Sequence, residues 1–460
     1  MSVLSVDTRW RSDLYQRLRG QADPLFVLPD CTIPAASLWV SVRLWVDLFR
    51  RSGLQPGDRV VLATEPSVGS LAFLLAGLWE QLTIAIALPY RGVPDVLEAF
   101  DARLGLGCGG LDADAPGCPV VSQQWALRKA IGPCTPEARL ITRTSGTGGS
   151  PTWVVLSDDN IWSVIDSHRE HVAQQGDIVL SILPWHHSFG LIIDLLPALF
   201  NAGMIIREAS GGRDPRSIIA CANHWGATYC SMVPLQAQRI AELPEGLDFI
   251  RSLRGGVVGG APAVGSTVDV LSSSRLRVGY GQTEASPGIC LGRPGEWTAG
   301  FIGRPVGCTV RIGDEGRLLV QGPNVCMGVW ANERVWRLNQ NRWLDTGDVV
   351  ESHRGALTYI GRADNNFKLG NGRMVDAIGI ERDLRSEIPA VEDAIIYSPD
   401  GETLHLCLVF KSAGVEPDIH AIRRVLGSLA DRVTHVTARL DSSSIRTSKG
   451  SLDRLGLAAA

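Results

Sequence analysis

The feature of this sequence that most constrains its fold is an alternation of strand-length apolar runs with helix-period segments, from about residue 35 to residue 285. The runs are "DRVVLAT", "LTIAIAL", "ARLITRT", "DIVLSIL", "GMIIREA", "ATYCSMV", "LRGGVVGG" and "LRVGYG". The segments between them are long enough for crossover helices, and strands covered on both faces are continuously apolar. The pattern therefore predicts an α/β fold with a mostly parallel sheet flanked by helices.

One helix is predicted in detail from the segment "SLWVSVRLWVDLFRRSG". Helical spacing places four apolar side chains on one face: Leu38, Val42, Trp45 and Phe49. Gly53 follows the last turn, where glycine commonly ends a helix in the left-handed conformation.

The pattern of predicted strands and helices changes twice toward the C-terminus. After residue 300, short strands with glycine-rich turns, as in "GCTVRIGDEGRLLVQGPNV", predict a small antiparallel β subdomain. After "YIGRADNNFKLGNGR" a smaller α+β unit is predicted, with a hairpin in "AIIYSPDGETLHLCLVFKS" and an amphipathic helix in "DIHAIRRVLGSLADRV". We therefore divide the chain into an N-terminal domain, residues 1–363, and a mobile C-terminal domain, residues 364–460.

Composition and charge exclude several classes of partner. The formal net charge is −4 and the pI is about 6.2, so the basic field that nucleic-acid binding requires is missing. The most apolar stretch, Leu71 to Pro89, is interrupted by Glu80 and Gln81, which predicts a buried helix and a strand and no membrane span. The N-terminus has mixed charges and no apolar run of signal-peptide length, so we expect a cytoplasmic protein.

The loop "TRTSGTGGSPTWV", residues 142–154, has the composition of a phosphate-binding loop. Its three glycines let the backbone curl around an anion, and Thr144, Ser145 and Thr147 supply hydroxyl donors. We expect it between the strand "ARLI" and a helix near Ser157 to Val172. Taken alone, the segment is better explained as a polar surface loop.

Six further segments follow this loop in a fixed order. They are "LPWHHSFG" (183–190), "GGAPA" (259–263), "GYGQTEAS" (279–286), "WLDTGDVV" (343–350), "GRADNNFKLGNGR" (361–373) and "RTSKGSLDR" (446–454). Together the seven motifs resemble the adenylate-forming superfamily, which includes acyl-CoA synthetases, aryl and fatty acid ligases and stand-alone adenylation domains. The resemblance covers roughly residues 35–455. It implies that a carboxylate attacks the α-phosphate of ATP, and that a thiol then displaces AMP from the acyl adenylate.

The resemblance assigns a set of residues to the nucleotide. The loop over the β- and γ-phosphates corresponds to Thr144, Ser145, Gly146, Thr147, Gly148 and Gly149. The loop on the adenine side corresponds to Gly260, Ala261 and Pro262, and the residues beside the base to Tyr280 and Gly281, with Tyr280 stacking on the ring.

The resemblance also assigns the residues nearest the reaction. Thr283 would touch the α-phosphate, and Glu284 would coordinate Mg²⁺, which prefers oxygen ligands. His187 corresponds to the histidine or aromatic residue at the edge of the acyl pocket.

Three charged residues correspond to the ribose site and the hinge. Asp348 would hold the ribose hydroxyls, Arg362 would lie near ribose and phosphate, and Asp364 would be the hinge of the small domain. Plain structural explanations also exist for three of these charged residues, because Asp348 can cap a turn, Glu284 can be solvated and Arg362 can form a surface ion pair.

Two lysines of the family pattern are missing. Pro151 is followed by Thr152, where a lysine is usual, and Ser451 occupies the lysine position of the C-terminal motif. That lysine stabilises negative charge during adenylation, and losing such a donor typically costs roughly 10² to 10³ in rate. Lys449 lies two residues earlier and would share a face with Ser451 in an extended segment. We hypothesise that Lys449 substitutes for it.

The sequence constrains the carboxylic acid substrate and the thiol acceptor less sharply than the nucleotide site. Phe189 occupies the position where amino-acid-specific domains carry an aspartate, which disfavours an α-amino acid, although Asp194 lies nearby. We expect an apolar fatty or aryl acid, and either CoA or an acyl carrier protein as thiol acceptor. The alternative is a degenerate member that binds nucleotide or a carrier protein with impaired or no adenylation.

Overall fold

The computed structural model of the chain describes residues 6–19, 24–29, 31–63, 65–87, 97–108, 123–127, 135–144, 152–263, 266–331, 334–338, 342–363, 367–369, 373–400, 402–412 and 414–440. Within these residues, helices pack against three larger mixed sheets, and two small sheets, of two and three strands, lie near the C-terminus. The predicted α/β class is confirmed.

The first sheet joins the N-terminal segment to the middle of the chain. Its described strands lie in the order Cys31–Pro34, Pro24–Leu28, Met204–Arg207 and Ile178–Ser181. The last three are parallel to one another, as their continuous apolar sequences predict.

The second sheet contains the glycine-rich loop between two of its strands. Its described strands lie in the order Arg334–Arg337, Gly328–Ala331, Trp153–Ser157, Ala138–Arg143, Thr83–Ile86, Arg59–Ala63, Leu104–Cys108 and Gln123–Leu127. The four from Ala138–Arg143 to Leu104–Cys108 are parallel, and the others pair antiparallel at the two edges.

The third sheet contains the strands that carry Tyr280, Asp348 and Arg362 of the predicted nucleotide site. Its described strands lie in the order Val257–Gly259, Arg277–Tyr280, Cys290–Leu291, Phe301–Pro305, Ala356–Arg362, Leu344–His353, Arg317–Gln321 and Thr309–Ile312. The first two are parallel, and each later pair is antiparallel. The antiparallel strands predicted after residue 300 therefore extend the sheet that begins at Val257.

The helices cover these sheets. The described α-helices are Val6–Leu18, Ala35–Arg51, Val68–Trp79, Asp158–His168, Leu196–Asn201, Pro215–Trp225, Pro234–Ala241, Gly246–Ser252, Ser266–Ser272, Ala377–Glu387 and Ile419–Leu426. A π-helix spans Phe189–Leu195, and 3₁₀ turns span Thr283–Ala285, Asp314–Gly316 and Gly427–Arg432. No helix in the described ranges combines the length and the apolar character needed to cross a bilayer.

The helix predicted from its apolar spacing is present as Ala35–Arg51. Leu38, Val42 and Phe49 are buried on its inner face, and Trp45 packs against the same core. Gly53 has φ +68°, the left-handed conformation predicted for the residue after the helix.

The segment "ATYCSMV" is not a regular strand, contrary to the prediction. In the described chain it makes only isolated parallel bridges, at Tyr229 and Met232, between the first and third sheets. The backbone N–H of Val257 donates to the hydroxyl of Ser231 at 3.4 Å. This side-chain hydrogen bond replaces a backbone hydrogen bond that a regular β-ladder would form there. The segment thus acts as a connector between sheets.

The C-terminal residues form their own apolar cluster. The strands Val391–Tyr397, Leu404–Phe410 and Val433–Arg439 form a sheet, which packs with the helix Ala377–Glu387. A short pair, Phe367–Lys368 with Met374–Val375, precedes it. The predicted hairpin is present.

The amphipathic helix predicted near the C-terminus is shorter than its sequence pattern. It spans Ile419–Leu426, and the chain continues as the 3₁₀ turn Gly427–Arg432. Gly427 has φ +52°, which explains the interruption.

Candidate functional site

A cavity opens where the parallel strands Val257–Gly259 and Arg277–Tyr280 end. Ligand sites of α/β folds lie at such carboxyl ends. The cavity has a volume of about 50 Å³. It is lined by His168, Phe189, Ile193, Val257, Gly259, Gly260, Gly279, Tyr280, Gly281, Pro287, Gly288, Cys290 and Leu291. Three of the residues predicted to bind nucleotide, Gly260, Tyr280 and Gly281, therefore border one apolar space.

Backbone geometry explains two of these glycines, one by a close approach and one by its positive φ. A Cβ added to Gly281 would lie 1.3 Å from the carbonyl oxygen of Pro287, so no larger residue fits there. Gly260 has φ +85°, which lets the chain turn sharply at the end of its strand before Ala261 and Pro262. Both glycines are required by the geometry of the loops.

Asp348 is the centre of a hydrogen-bonded group beside the cavity. The Tyr280 hydroxyl donates to its Oδ2 at 2.5 Å and Gln282 Nε2 donates to the same oxygen at 2.9 Å. Arg362 Nη1 donates to Oδ1 at 3.1 Å and to the carbonyl oxygen of Thr346 at 2.9 Å. Burial raises the pKa of Asp348, while Tyr280 and Arg362 oppose the rise. The structure thus brings the predicted residues Tyr280, Asp348 and Arg362 together.

The turn after Tyr280 carries the residues predicted to contact phosphate and metal. The Thr283 hydroxyl lies 2.9 Å from the hydroxyl of Ser188, which precedes the π-helix Phe189–Leu195. Burial raises the pKa of the Glu284 carboxyl, and the Arg362 charge opposes this rise. In the described chain no ion pair to Glu284 is formed within 4.0 Å. A half-buried carboxylate of this kind suits Mg²⁺, which is held by one or two carboxylates together with substrate phosphates.

The glycine-rich loop lies between two antiparallel strands, and not directly before a helix. Thr144 N donates to the carbonyl oxygen of Thr152 at 2.8 Å, and Thr152 N donates to the Thr144 hydroxyl at 3.3 Å. The strand Trp153–Ser157 separates the loop from the helix that begins at Asp158. The β-branched run "WVVLS" favours this additional strand. The helix predicted near Ser157 is present as Asp158–His168, and the strand before it is the element that the sequence interpretation lacked.

Several predicted residues lie outside the described residues. They are Ser145, Gly146, Thr147, Gly148, Gly149, Asp364, Lys449 and Ser451. Their roles remain predictions from the sequence.

His187 lies outside the cavity, whereas two residues that the sequence interpretation did not assign, Gln282 and Ser188, contact the site residues. His187 packs its ring against His186, with the centroids 4.6 Å apart, and it does not line the cavity. Gln282 and Ser188, by contrast, contact Asp348 and Thr283 directly. Both belong to motifs that had been recognised, "GYGQTEAS" and "LPWHHSFG", and their proximity to the assigned residues was the available signal.

These features define an α/β protein with a buried carboxylate beside a cavity at the ends of parallel strands. A family model described as AMP-binding enzyme matches residues 117–330. The solved structure of ATP-bound MatB from Rhodopseudomonas palustris superimposes with a TM-score of 0.73 at 20% identity, covering 97% of this chain and 98% of that one.

Curated relatives agree with this assignment. Feruloyl-CoA synthase of an Amycolatopsis species is 26% identical over 398 residues, which cover 76% of this chain and 78% of that protein. The fatty acid–[acyl-carrier-protein] ligase MmaC of Mycobacterium marinum is 26% identical over 413 residues, covering 80% and 76%. The chain is therefore similar to AMP-binding enzymes and to acid–thiol ligases, in agreement with the resemblance of its motifs to the adenylate-forming superfamily.

Proposed function

We propose that this protein activates a carboxylic acid with ATP and transfers the acyl group to the phosphopantetheine thiol of CoA or of a carrier protein. A carboxylate oxygen of the acid attacks the α-phosphorus, and the bond to pyrophosphate breaks. The thiolate then attacks the acyl carbonyl, and AMP leaves. The observation that carries the proposal is the buried Asp348 group beside an apolar cavity, because it combines a grip for ribose with a space for an acyl group.

The residues of the site have distinct parts in this reaction. Asp348 accepts hydrogen bonds from the ribose hydroxyls, and Arg362 lies beside it to meet phosphate charge. Tyr280 is fixed by its hydrogen bond to Asp348. Its ring is therefore held at the edge of the cavity, where it would stack on the adenine base. Thr283 donates to the α-phosphate. Glu284 would hold Mg²⁺, which neutralises phosphate charge when bound.

The cavity favours a compact acid over a long fatty chain. Its volume of about 50 Å³ is smaller than the roughly 150 Å³ that accommodates benzene in an engineered apolar core. A small acyl group therefore requires modest movement of side chains such as Phe189, whereas a long chain requires a new tunnel. We propose a short aliphatic or single-ring aryl acid.

The second half-reaction requires the small domain to move. We propose that the domain boundary is at residues 363/364 and that Asp364 is the hinge between adenylation and thioester formation. The apolar cluster that spans Leu369 to Val433 gives the small domain a core of its own, as rigid-body rotation demands.

Turnover of a defined acid tests the proposal. The protein is incubated with ATP, Mg²⁺ and single acids from a graded panel, namely acetate to octanoate, benzoate and cinnamate, and pyrophosphate release is followed with hydroxylamine as trap. We expect release with a compact acid, and thioester formation when CoA or a phosphopantetheinylated carrier protein is added. ATP binding without release on any acid would instead support the degenerate alternative, which the two missing lysines motivate.

Changing the C-terminal motif tests how the missing lysine is replaced. Lys449→Ala is expected to slow adenylation about tenfold, less than a fully preorganised donor would, because Lys449 is offset from the position of Ser451. Ser451→Lys is expected to accelerate adenylation. The measurement is the single-turnover rate of adenylate formation, with thioester formation from preformed adenylate as the control reaction. An unchanged rate in Lys449→Ala would remove this lysine from the site.

A further inference from the structure

One side-chain nitrogen in the lining of the cavity, that of the His168 ring, has no part in the proposed reaction. His168 is the last residue of the helix Asp158–His168, and it is almost completely buried. The other side chains around it are apolar, a thiol or a tyrosine whose hydroxyl is already bonded to Asp348. Ligand sites are typically pockets of mostly apolar side chains in which a few polar groups fix the orientation of the ligand.

The hydrogen bonds of His168 fix its tautomer. Nδ1 lies 3.0 Å from the carbonyl oxygen of Val164 and 3.0 Å from the hydroxyl of Ser167. Because a carbonyl oxygen only accepts, Nδ1 carries the proton and Nε2 presents a lone pair. Burial lowers the pKa of His168 to about 4, so the ring is neutral at physiological pH.

The Cε1–Nε2 edge of the His168 ring lies beside Gly288, and both residues line the cavity. A Cβ added to Gly288 would lie 2.7 Å from Cε1 and 3.1 Å from Nε2 of His168, so a larger residue at position 288 would press on this edge of the ring. Gly288 is itself held in place, because Asn324 Nδ2 donates to its carbonyl oxygen at 2.7 Å. Within the described residues Nε2 has no hydrogen-bond partner.

We propose that Nε2 of His168 accepts a hydrogen bond from a hydroxyl or amino group of the carboxylic acid substrate, and so selects acids that carry such a donor. The inference rests on the proposed function, since the cavity is taken as the acyl pocket. A pocket that hydrogen-bonds a substrate hydroxyl strongly rejects the analogue that lacks it, because the buried protein group is then left unpaired. The substrate class is therefore a compact hydroxy- or amino-substituted acid.

Matched acids test this selectivity. Benzoate is compared with its hydroxy, amino and methoxy derivatives at each ring position, and butanoate with its hydroxybutanoates. Two quantities are measured: kcat/KM from pyrophosphate release, and the dissociation constant of each acid by calorimetry in the presence of a non-hydrolysable ATP analogue. In the wild type we expect a donor-bearing acid to have a kcat/KM at least tenfold higher, and a dissociation constant at least tenfold lower, than its parent acid and its methyl ether.

Variants identify His168 as the source of the preference. His168→Phe keeps the ring shape without the acceptor, and we expect the preference to fall to within about twofold. His168→Gln places an amide oxygen near Nε2 and should retain a preference of several fold. His171→Phe, a histidine three residues further on that does not line the cavity, is the matched control and should behave like the wild type.

The outcomes separate this inference from the proposed function. Selective acid binding without pyrophosphate release would contradict the proposed function and support the role of His168. Pyrophosphate release without any preference for donor-bearing acids, or a preference that persists in His168→Phe, would overturn the role of His168. Failure of every acid to bind would overturn it as well. If His168→Phe does not fold, the wild-type comparison of hydroxy acids with their methyl ethers decides.

Discussion

Replacing Asp348 by alanine is expected to lower kcat/KM for ATP about a thousandfold, which corresponds to about 4 kcal/mol. The carboxylate is buried and would accept two hydrogen bonds from ribose, each charge-assisted bond contributing about 1.5 to 3 kcal/mol. The substitution also leaves Tyr280, Gln282 and Arg362 without their common acceptor. The measurement is pyrophosphate release as a function of ATP concentration, together with AMP binding by calorimetry.

Asp345 provides the matched control for Asp348. It lies on the same strand, Leu344–His353, but it is exposed and forms a surface ion pair with Arg317 at 2.7 Å. Asp345→Ala should therefore retain the kinetics of the wild type. Thermal denaturation of both variants shows whether they remain folded at the assay temperature. A folded Asp348→Ala protein with normal ATP kinetics would remove Asp348 from the nucleotide site.

The second large effect concerns stability and involves Asp194. This residue lies on the π-helix Phe189–Leu195, directly after the cavity-lining Ile193, and its carboxyl is buried. Burial raises its pKa from 3.8 to about 6, opposed by Ser231, Ser181 and Arg207. This difference corresponds to roughly 3 kcal/mol.

The raised pKa determines how stability varies with pH. The folded state binds this proton more tightly than the unfolded state, so the stabilisation is fully present below pH 3.8 and is lost as pH rises through about 6. Asp194→Asn removes the ionisation and keeps the shape. The free energy of unfolding of this variant relative to the wild type should therefore increase by roughly 3 kcal/mol between about pH 4 and pH 8.

Urea denaturation at a series of pH values measures this difference. Asp166→Asn is the control, because Asp166 is exposed on the helix Asp158–His168, and its difference from the wild type should not vary with pH by a comparable amount. A difference between Asp194→Asn and the wild type that stays constant from pH 4 to pH 8 would contradict the prediction.

Local patterns in the sequence predicted much of the scaffold because they depend on neighbouring residues. The apolar spacing and Gly53 gave the helix Ala35–Arg51, and the strand-length apolar runs gave the strands at the centres of the sheets. The segment "ATYCSMV" was mispredicted because a contact between distant residues, from Ser231 to Val257, replaces part of the expected ladder. Such a contact has no local signature.

The site was predicted where family motifs exist and was missed where they do not. Tyr280, Asp348 and Arg362 lie far apart in sequence, and their motifs alone predicted that they share a site. His168 belongs to none of the recognised motifs, and its position beside Gly288 follows only from the packing of a helix against a turn more than a hundred residues away. The sequence therefore indicated the chemistry of the family better than the selectivity of this member.

The third sheet has a consequence for engineering. The strands that end at the cavity and the strands that carry Asp348 and Arg362 belong to one continuous hydrogen-bonded sheet, whereas His168, Phe189 and Ile193 project from helices outside it. The sheet thus holds the residues of the nucleotide site in fixed positions, while the helical residues that line the cavity can be substituted separately. Substrate scope should therefore be redesignable by recombining the helical positions, while the nucleotide grip is carried over unchanged.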